Sequence, residues 1–366
     1  ITLPSSAEAG DQIIFLDYAR NWGTNKIIID SNGLNYQSED DTYIVEYDTS
    51  GQTVSIVYSG ATVGWIPESD VDVTDAPTPP PTQKAIFGYG YNGGNLSLTN
   101  LVSSSGVVAA DVTGVGTARK GNPAASYGLD KAIFAYGWDG SSNLSMSNLV
   151  SNSGVVAADV TGVGTARRVT GTAGYGGDKA IYAYGYTSSN VLLSNLVSNA
   201  GVVATDTSIV GTARRTAAAA VYGYDKAIIG YGYAASNTNI TNLVSNSGVV
   251  STDVSGVGTA RSELAAAAYG SDKAIFGYGN TGSVSSLTNL VSNTGVVSAD
   301  VSGVGTARTY AAAAGYGGDK AIFAYGTAPY TAISNLVSNS GVVASDTSGV
   351  GTARSELAAA GYSTSA

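Results

Sequence analysis

From residue 84 onward the apolar positions come in short runs, such as KAIFGYG at 84–90, NLV at 100–102 and GVV at 106–108, separated by Gly, Asn and Ser. Runs this short, rich in branched and aromatic residues and bounded by turn formers, predict strands rather than helices. Read from Arg261, one stretch predicts a small-residue strand at 264–269, a second at 273–278, a third at 287–292 and a fourth at 295–300, an antiparallel meander. The alanine runs at 265–268, 311–314 and 217–220 have helical propensity, but they are too short for a helix and are followed by Tyr-Gly, directly or after one Gly or Val.

The pattern recurs. Six copies carry KAI, NLVS, GVV and a closing GTAR; the lysines are Lys84, Lys131, Lys179, Lys226, Lys273 and Lys320, and the arginines Arg119, Arg167, Arg214, Arg261, Arg308 and Arg354. From the Asn of NLVS to that Arg is always 19 positions, and from Arg to the next Lys always 12; from Lys to Asn it is 15, 16 or 17. All length variation therefore lies in the segment after the second strand. Glycine-rich repeats of about 40–50 residues with short strands are the signature of propeller blades, and alanine suits a first strand that lines a crowded axis. The repeats begin on a second strand at Lys84, and after Arg354 the chain supplies one more first strand, SELAAAGY. The expectation is an all-β fold: a six-bladed β-propeller of four-stranded blades over 84–366, closed by the C-terminal strand, which removes the open edge.

The order Arg, small apolar strand, Tyr-Gly, Asp-Lys-Ala-Ile-Phe-Gly-Tyr-Gly, variable loop, Leu-x-Asn-Leu-Val and Gly-Val-Val resembles a kelch-type repeat. It departs from that pattern in having Gly-Tyr-Gly or Ala-Tyr-Gly for the double glycine and no tryptophan near the fourth strand. The near-identity of the copies and the phrase SNLVSNSGVVAxDxxGVGTAR are similar to tandem propeller repeats of tail-fibre and other virion proteins of marine and cyanobacterial phages. That resemblance implies a structural component of a particle.

Upstream, 76–83 reads APTPPPTQ, a semi-rigid polyproline spacer. Residues 1–75 hold 13 acidic residues against Arg20 and Lys26, a formal -11, which leaves +1 of the total -10 for the rest. The runs at 12–16, 26–30, 43–47 and 53–58 predict a small β domain ending near Gly64 and Trp65. ITLPSSAEAGDQIIFLDYARNW, TNKIIIDSNG and a closing GW resemble a module of phage tail-fibre proteins, which implies attachment to other virion or fibre proteins through 1–75, a homo-oligomer within a larger assembly, and a place on the virion. The chain opens at Ile1 with no basic, hydrophobic leader, as expected of a processed product or a piece of a longer chain.

The chain has no Cys and no His, which removes disulfides, thiolate or imidazole metal sites and Ser-His-Asp or Cys-His nucleophiles. No run is long enough to insert in a membrane. The acids before each lysine (Asp130, Asp178, Asp225, Asp272, Asp319) and after GVV (Asp111, Asp159, Asp206, Asp253, Asp300, Asp346) recur in nearly every copy, so they read as turn or ion-pair devices. Asp139, Glu263 and Glu356 break the pattern and are the candidates for a glycan depolymerase. A nucleic-acid partner requires a one-sided basic excess, which the matched Asp rings and the net +1 argue against. No cofactor is expected. No calcium loop motif occurs, and Asp70, Asp72 and Asp75 read as a solvated lead-in to the spacer.

Strand parity places the variable loop and the connection after each Arg on one face, leaving the other face uniform. A varied surface on a fixed scaffold suits binding, although relaxed constraint on solvent loops gives the same picture. On that face, the position after the Tyr-Gly of the second strand reads Tyr91, Trp138, Tyr186, Tyr233, Asn280 and Thr327, with Tyr330 nearby. These aromatics, with Asp139, are the candidate contacts for a host-surface glycan or protein, against an alternative in which they cap blade packing. The primary expectation is a non-enzymatic virion protein. A depolymerase, or a passive decoration or spacer of a surface filament, is the alternative.

Overall fold

The computed structural model describes residues 1–41, 45–69 and 82–365. The acids Asp70, Asp72 and Asp75, the spacer up to residue 81 and the start of the run at 43–47 lie outside the described residues. The chain divides into two compact units, Ile1–Pro80 and Pro81–Ala366. The described residues contain strands and turns and no helix, so none is long and apolar enough to cross a membrane.

In the first unit Gln12–Leu16 pairs with Thr53–Tyr58, which pairs with Trp65–Pro67, and Ile27–Ile29 pairs with Val45–Tyr47. Alternation along Thr53–Tyr58 turns Val54, Ile56 and Tyr58 inward onto Trp65, Tyr36 and Tyr47. Along Gln12–Leu16 the opposite parity leaves Ile14 and Leu16 each 60% exposed.

In the second unit each repeat folds into a small antiparallel sheet. In the fifth, Ala265–Tyr269 pairs with Lys273–Gly277, which pairs with Thr288–Val291. The middle strand is buried on both faces, so it reads as an unbroken apolar run, while the alanine strand alternates. Small residues on the middle strands are required by the neighbouring sheet: a Cβ on Gly88 would meet the Phe134 ring at 2.7 Å, and one on Gly277 the Phe323 ring at 2.7 Å. The first copy obtains its first strand from the other end of the chain, where Ala358–Tyr362 pairs with Lys84–Tyr91 in the register Ala358↔Gly88 to Tyr362↔Lys84.

The expectation of four-stranded sheets needs correction. Among the described residues only Thr207–Ser208 forms a fourth strand; elsewhere the last segment is held by bridges such as Val291↔Val297 and Thr288↔Val301. Five residues, 297–301, thus face four, 288–291, so the ladder bulges. The buried Asn289 amide fills the gap, donating to Ser298 O at 3.0 Å and to Asp300 Oδ1 at 2.9 Å.

Successive alanine strands neighbour one another in cyclic order: Ala124–Tyr127, Gly171–Tyr175, Ala218–Tyr222, Ala265–Tyr269, Ala312–Tyr316, Ala358–Tyr362 and back to the first. Just before them, six backbone hydrogen bonds form a closed circuit. Val169 N donates to Gly121 O, Thr216 N to Val169 O, Glu263 N to Thr216 O, Tyr310 N to Glu263 O, Glu356 N to Tyr310 O and Gly121 N to Glu356 O, at 2.7–3.3 Å. All six residues have positive φ, between 51° and 59°. That backbone is costly for Val169 and Thr216, whose side chains branch at Cβ.

The repeat-invariant charges form a second circuit. Arg354, fully buried, donates through Nε to Tyr89 O at 2.9 Å and through Nη2 to Asn100 Oδ1 at 2.8 Å, and its guanidinium lies 4.3 Å from the Tyr325 ring centre. Thr352 Oγ1 donates to Asp111 Oδ2 at 2.6 Å, and Asn100 Nδ2 to Asp111 Oδ1 at 2.9 Å. The same latch of Asn, Asp and Thr contacts joins Arg119 to Asn148 and Asp159, Arg167 to Asn195 and Asp206, Arg214 to Asn242 and Asp253, Arg261 to Asn289 and Asp300, and Arg308 to Asn335 and Asp346, although Nε of Arg119 and of Arg308 lacks the carbonyl bond. Burial alone would raise the pKa of each latch aspartate, but the hydrogen bonds from Thr and Asn outweigh it and leave each below the usual carboxylate value. The other aspartate series forms ion pairs with the adjacent lysines, as at Asp178 and Lys179, 2.7 Å apart.

Candidate functional site

At or just past the end of each second strand stand a tyrosine with left-handed backbone and a glycine, as at Tyr136 (φ 58°) and Gly137 (φ 109°). The tyrosine stays buried, its hydroxyl donating to a carbonyl such as Val163 O at 3.3 Å. The residue after the glycine pairs with the residue after a latch arginine: Trp138 with Lys120, Tyr186 with Arg168, Tyr233 with Arg215, Asn280 with Ser262, Thr327 with Thr309 and Tyr91 with Ser355. Both irregular segments expected on one face are therefore joined by backbone bonds that leave the side chains free to differ. Half-buried amides tie one loop to the next: Asn95 donates to Trp138 O at 3.2 Å, Asn190 to Tyr233 O at 3.1 Å and Asn237 to Asn280 O at 2.8 Å.

Four of the candidate aromatics form an alternating ladder with three cations. Lys120 Nζ lies 4.2 Å from the Tyr91 ring centre and 5.5 Å from that of Trp138. The Arg168 guanidinium lies 5.2 Å from Trp138 and 5.4 Å from Tyr186, and that of Arg215 4.8 Å from Tyr186 and 4.7 Å from Tyr233. Tyr330, 41% exposed, continues the arc, its ring 6.4 Å from that of Tyr91. The remaining pairs carry only Ser, Thr and Asn, so the paired positions are aromatic and cationic on one part of the face and uncharged on the other. Lys120 is paired with Glu356 at 2.8 Å, whereas Arg168 and Arg215 have no ion pair among the described residues.

Asp139 follows Trp138, but its Oδ1 accepts from Ser141 N at 2.8 Å, Ser141 Oγ at 2.9 Å and Ser142 N at 2.7 Å. These bonds close the loop and hold its carboxyl below the usual value, an arrangement suited to a turn device rather than a proton donor. The other irregular acids come together with Tyr310 at consecutive places on the backbone circuit, at the mouth of an alanine-walled cavity of about 140 Å³ on its axis. Burial, and then the Glu263 carboxylate it hydrogen-bonds, push the Tyr310 hydroxyl far above its ordinary pKa. It is a hydrogen-bond donor at neutral pH, not a nucleophile. Among the described residues no group of three or more acids is arranged to hold a metal ion.

The chain matches no protein-family model and no curated protein.

Sequence reasoning missed Lys120, Arg168, Arg215 and Tyr310. The signal was present: the position after the latch arginine reads Lys, Arg, Arg, Ser, Thr, Ser along the chain. Its meaning depends on pairing with the aromatic column, which lies 18 residues further on in the first three of these copies.

Proposed function

We propose that the second unit is a six-bladed, kelch-like β-propeller and that the chain is a non-enzymatic phage virion or tail-fibre protein. In this reading the propeller offers one loop face to a host-surface glycan or protein. The acidic first unit, with Ile14 and Leu16 outermost, docks on neighbouring particle proteins within an oligomeric assembly. The closed circuits of backbone bonds and arginine latches support the propeller.

The attachment role is carried by one observation. The charged residues of the second unit that break the repeat (Lys120, Asp139, Arg168, Arg215, Glu263, Glu356) all lie on one face, beside Tyr91, Trp138, Tyr186 and Tyr233, while the latches beneath are the same in all six copies. Relaxed constraint alone does not lead to an ordered ladder on that face. A protein with Trp138, Tyr186 and Tyr233 all changed to Ala is expected to keep its circular dichroism and lose binding on an array of bacterial surface glycans. Undiminished binding by that variant rejects the assignment.

The axial group of Glu263, Tyr310 and Glu356 supports a second reading, a glycan depolymerase. Release of new reducing ends from a bound polysaccharide, abolished by Glu263→Gln, would favour it; binding without release favours attachment.

A further inference from the structure

We propose that the ladder is a binding site for a polyanionic glycan, a chain carrying carboxylate or sulfate groups, with Arg168 and Arg215 as its principal contacts. This rests on the attachment reading above and narrows its ligand. Aromatic side chains on a glycan-binding face ordinarily offer their flat surfaces to sugar rings. Here Trp138 already has Lys120 and Arg168 over it, and Tyr186 has Arg168 and Arg215. A sugar or nucleobase stacking on either ring has to displace a cation. The rings act instead as supports that hold guanidinium groups in place.

Those groups are available. A guanidinium carries five N–H donors, yet among the described residues Arg168 has no hydrogen-bonded acceptor and no ion pair, and Arg215 reaches only Asn190 Oδ1, at 3.5 Å. Both side chains are half-buried, their stems ordered by the flanking rings. Ordering before binding reduces the entropy lost on contact, and the planar fork fits carboxylate and sulfate oxygens in pairs. Water at this depth is a weaker partner for a stacked guanidinium than an anion that neutralises it.

The layout selects the shape of the ligand. Cations occur in three consecutive repeats and hydroxyl residues (Ser262, Thr309, Ser355) in the other three. A small anion sought on the axis would meet Glu263 and Glu356, which repel it. The charges instead run along an arc, each sharing a ring with the next. This fits an extended chain with regularly placed acidic groups. Single-stranded nucleic acid also offers such charges, but its bases need open aromatic faces, and those are covered on Trp138 and Tyr186.

The test compares dextran sulfate with unmodified dextran, the same backbone with and without charge, by biolayer interferometry across a salt series. The native protein is expected to bind dextran sulfate, with affinity falling as salt rises, and to bind dextran far more weakly. Arg168→Gln with Arg215→Gln is expected to weaken dextran sulfate binding tenfold or more and to flatten the salt dependence. Lys179→Gln with Lys226→Gln, which removes the same charge elsewhere, is expected to leave binding within about twofold of native. Because a loss can reflect damage, Ser262→Arg with Asn280→Tyr adds a rung and is expected to tighten binding several-fold. The proposal is overturned if the native protein does not bind dextran sulfate, if the two arginine substitutions leave binding unchanged, if the lysine substitutions weaken it equally, or if polyuridylate displaces dextran sulfate at equal phosphate and sulfate concentration. Equal binding of dextran and dextran sulfate, lost in the Trp138, Tyr186 and Tyr233 variant, overturns the charge requirement and leaves the attachment reading standing.

Discussion

Replacing Arg354 with alanine tests whether the ring of sheets is closed in solution. The side chain is fully buried and donates to Tyr89 O at 2.9 Å, Thr352 O at 3.0 Å and Asn100 Oδ1 at 2.8 Å. Tyr89 and Asn100 belong to the first copy and Arg354 to the sixth, so two of these bonds cross the seam between the chain's ends. Truncation removes three charge-assisted bonds and leaves buried acceptors without donors, a cost of about 1–3 kcal/mol each. Counting these three lost bonds and the loss of the guanidinium against the Tyr325 ring, we take about 4 kcal/mol for Arg354→Ala.

The useful comparison is with Arg214→Ala, at a latch between the third and fourth copies, where the chain is continuous. Arg214 donates to Tyr231 O at 2.8 Å, Thr212 O at 3.2 Å and Asn242 Oδ1 at 2.7 Å, with one further bond to Ile229 O at 3.2 Å, and is equally buried. If the seam is closed like every other junction, the two variants lose the same stability to within about 1 kcal/mol. Urea unfolding followed by far-ultraviolet circular dichroism measures both, with equal denaturant slopes as the control that the unfolded states match. A loss below about 1 kcal/mol for Arg354→Ala beside about 4 kcal/mol for Arg214→Ala would refute closure, because it would mean that the terminal latch is already open in solution.

Acid should loosen all six latches together. Because the folded pKa of each latch aspartate is lowered, their contribution is fully present above the unfolded value near 3.8 and is lost as pH falls through that value toward the lower folded ones; melting temperature should hold from pH 7 to 5 and fall steeply between pH 4 and 3, and a flat profile there contradicts the latch. Val169→Gly should stabilise the protein by about 1 kcal/mol, because Val169 sits at φ 52° where the equivalent residue of the preceding copy is Gly121. A calorimetric melt that does not rise would show that the strain is relieved in some other way.

How far the sequence revealed this arrangement depended on whether a feature repeats within one copy or arises between copies. The period, the three strands and the completion of the first sheet by the last strand could be read because each leaves a local pattern, such as KAIFGYG or the orphan SELAAAGY. The aspartates after GVV read as turn or ion-pair devices, yet their partners lay out of view: Asp159 accepts from Thr117, 42 positions earlier, across a sheet boundary. The fourth strand was misjudged for a related reason. GVVSAD has strand composition, but the ladder is interrupted by the side chain of Asn289, which propensity does not encode. The aromatic positions were legible as a column. That their faces are covered was not, because the covering cations come from another column that only the folded chain brings alongside.

The same division explains why one face is free to vary. Arg, Asn, Asp and Thr at the latch act through their side chains, so an altered copy would break a junction of a ring that depends on every junction. The neighbouring positions, one and two residues after each latch arginine and one after each Tyr-Gly, are held by backbone hydrogen bonds that any non-proline residue can make. Lys120 and Ser262 occupy equivalent places, as do Trp138 and Asn280, with the same pair of backbone bonds. Side chains on that face therefore carry little of the fold's stability, and changing several of them at once should alter what the face binds without opening the ring beneath it.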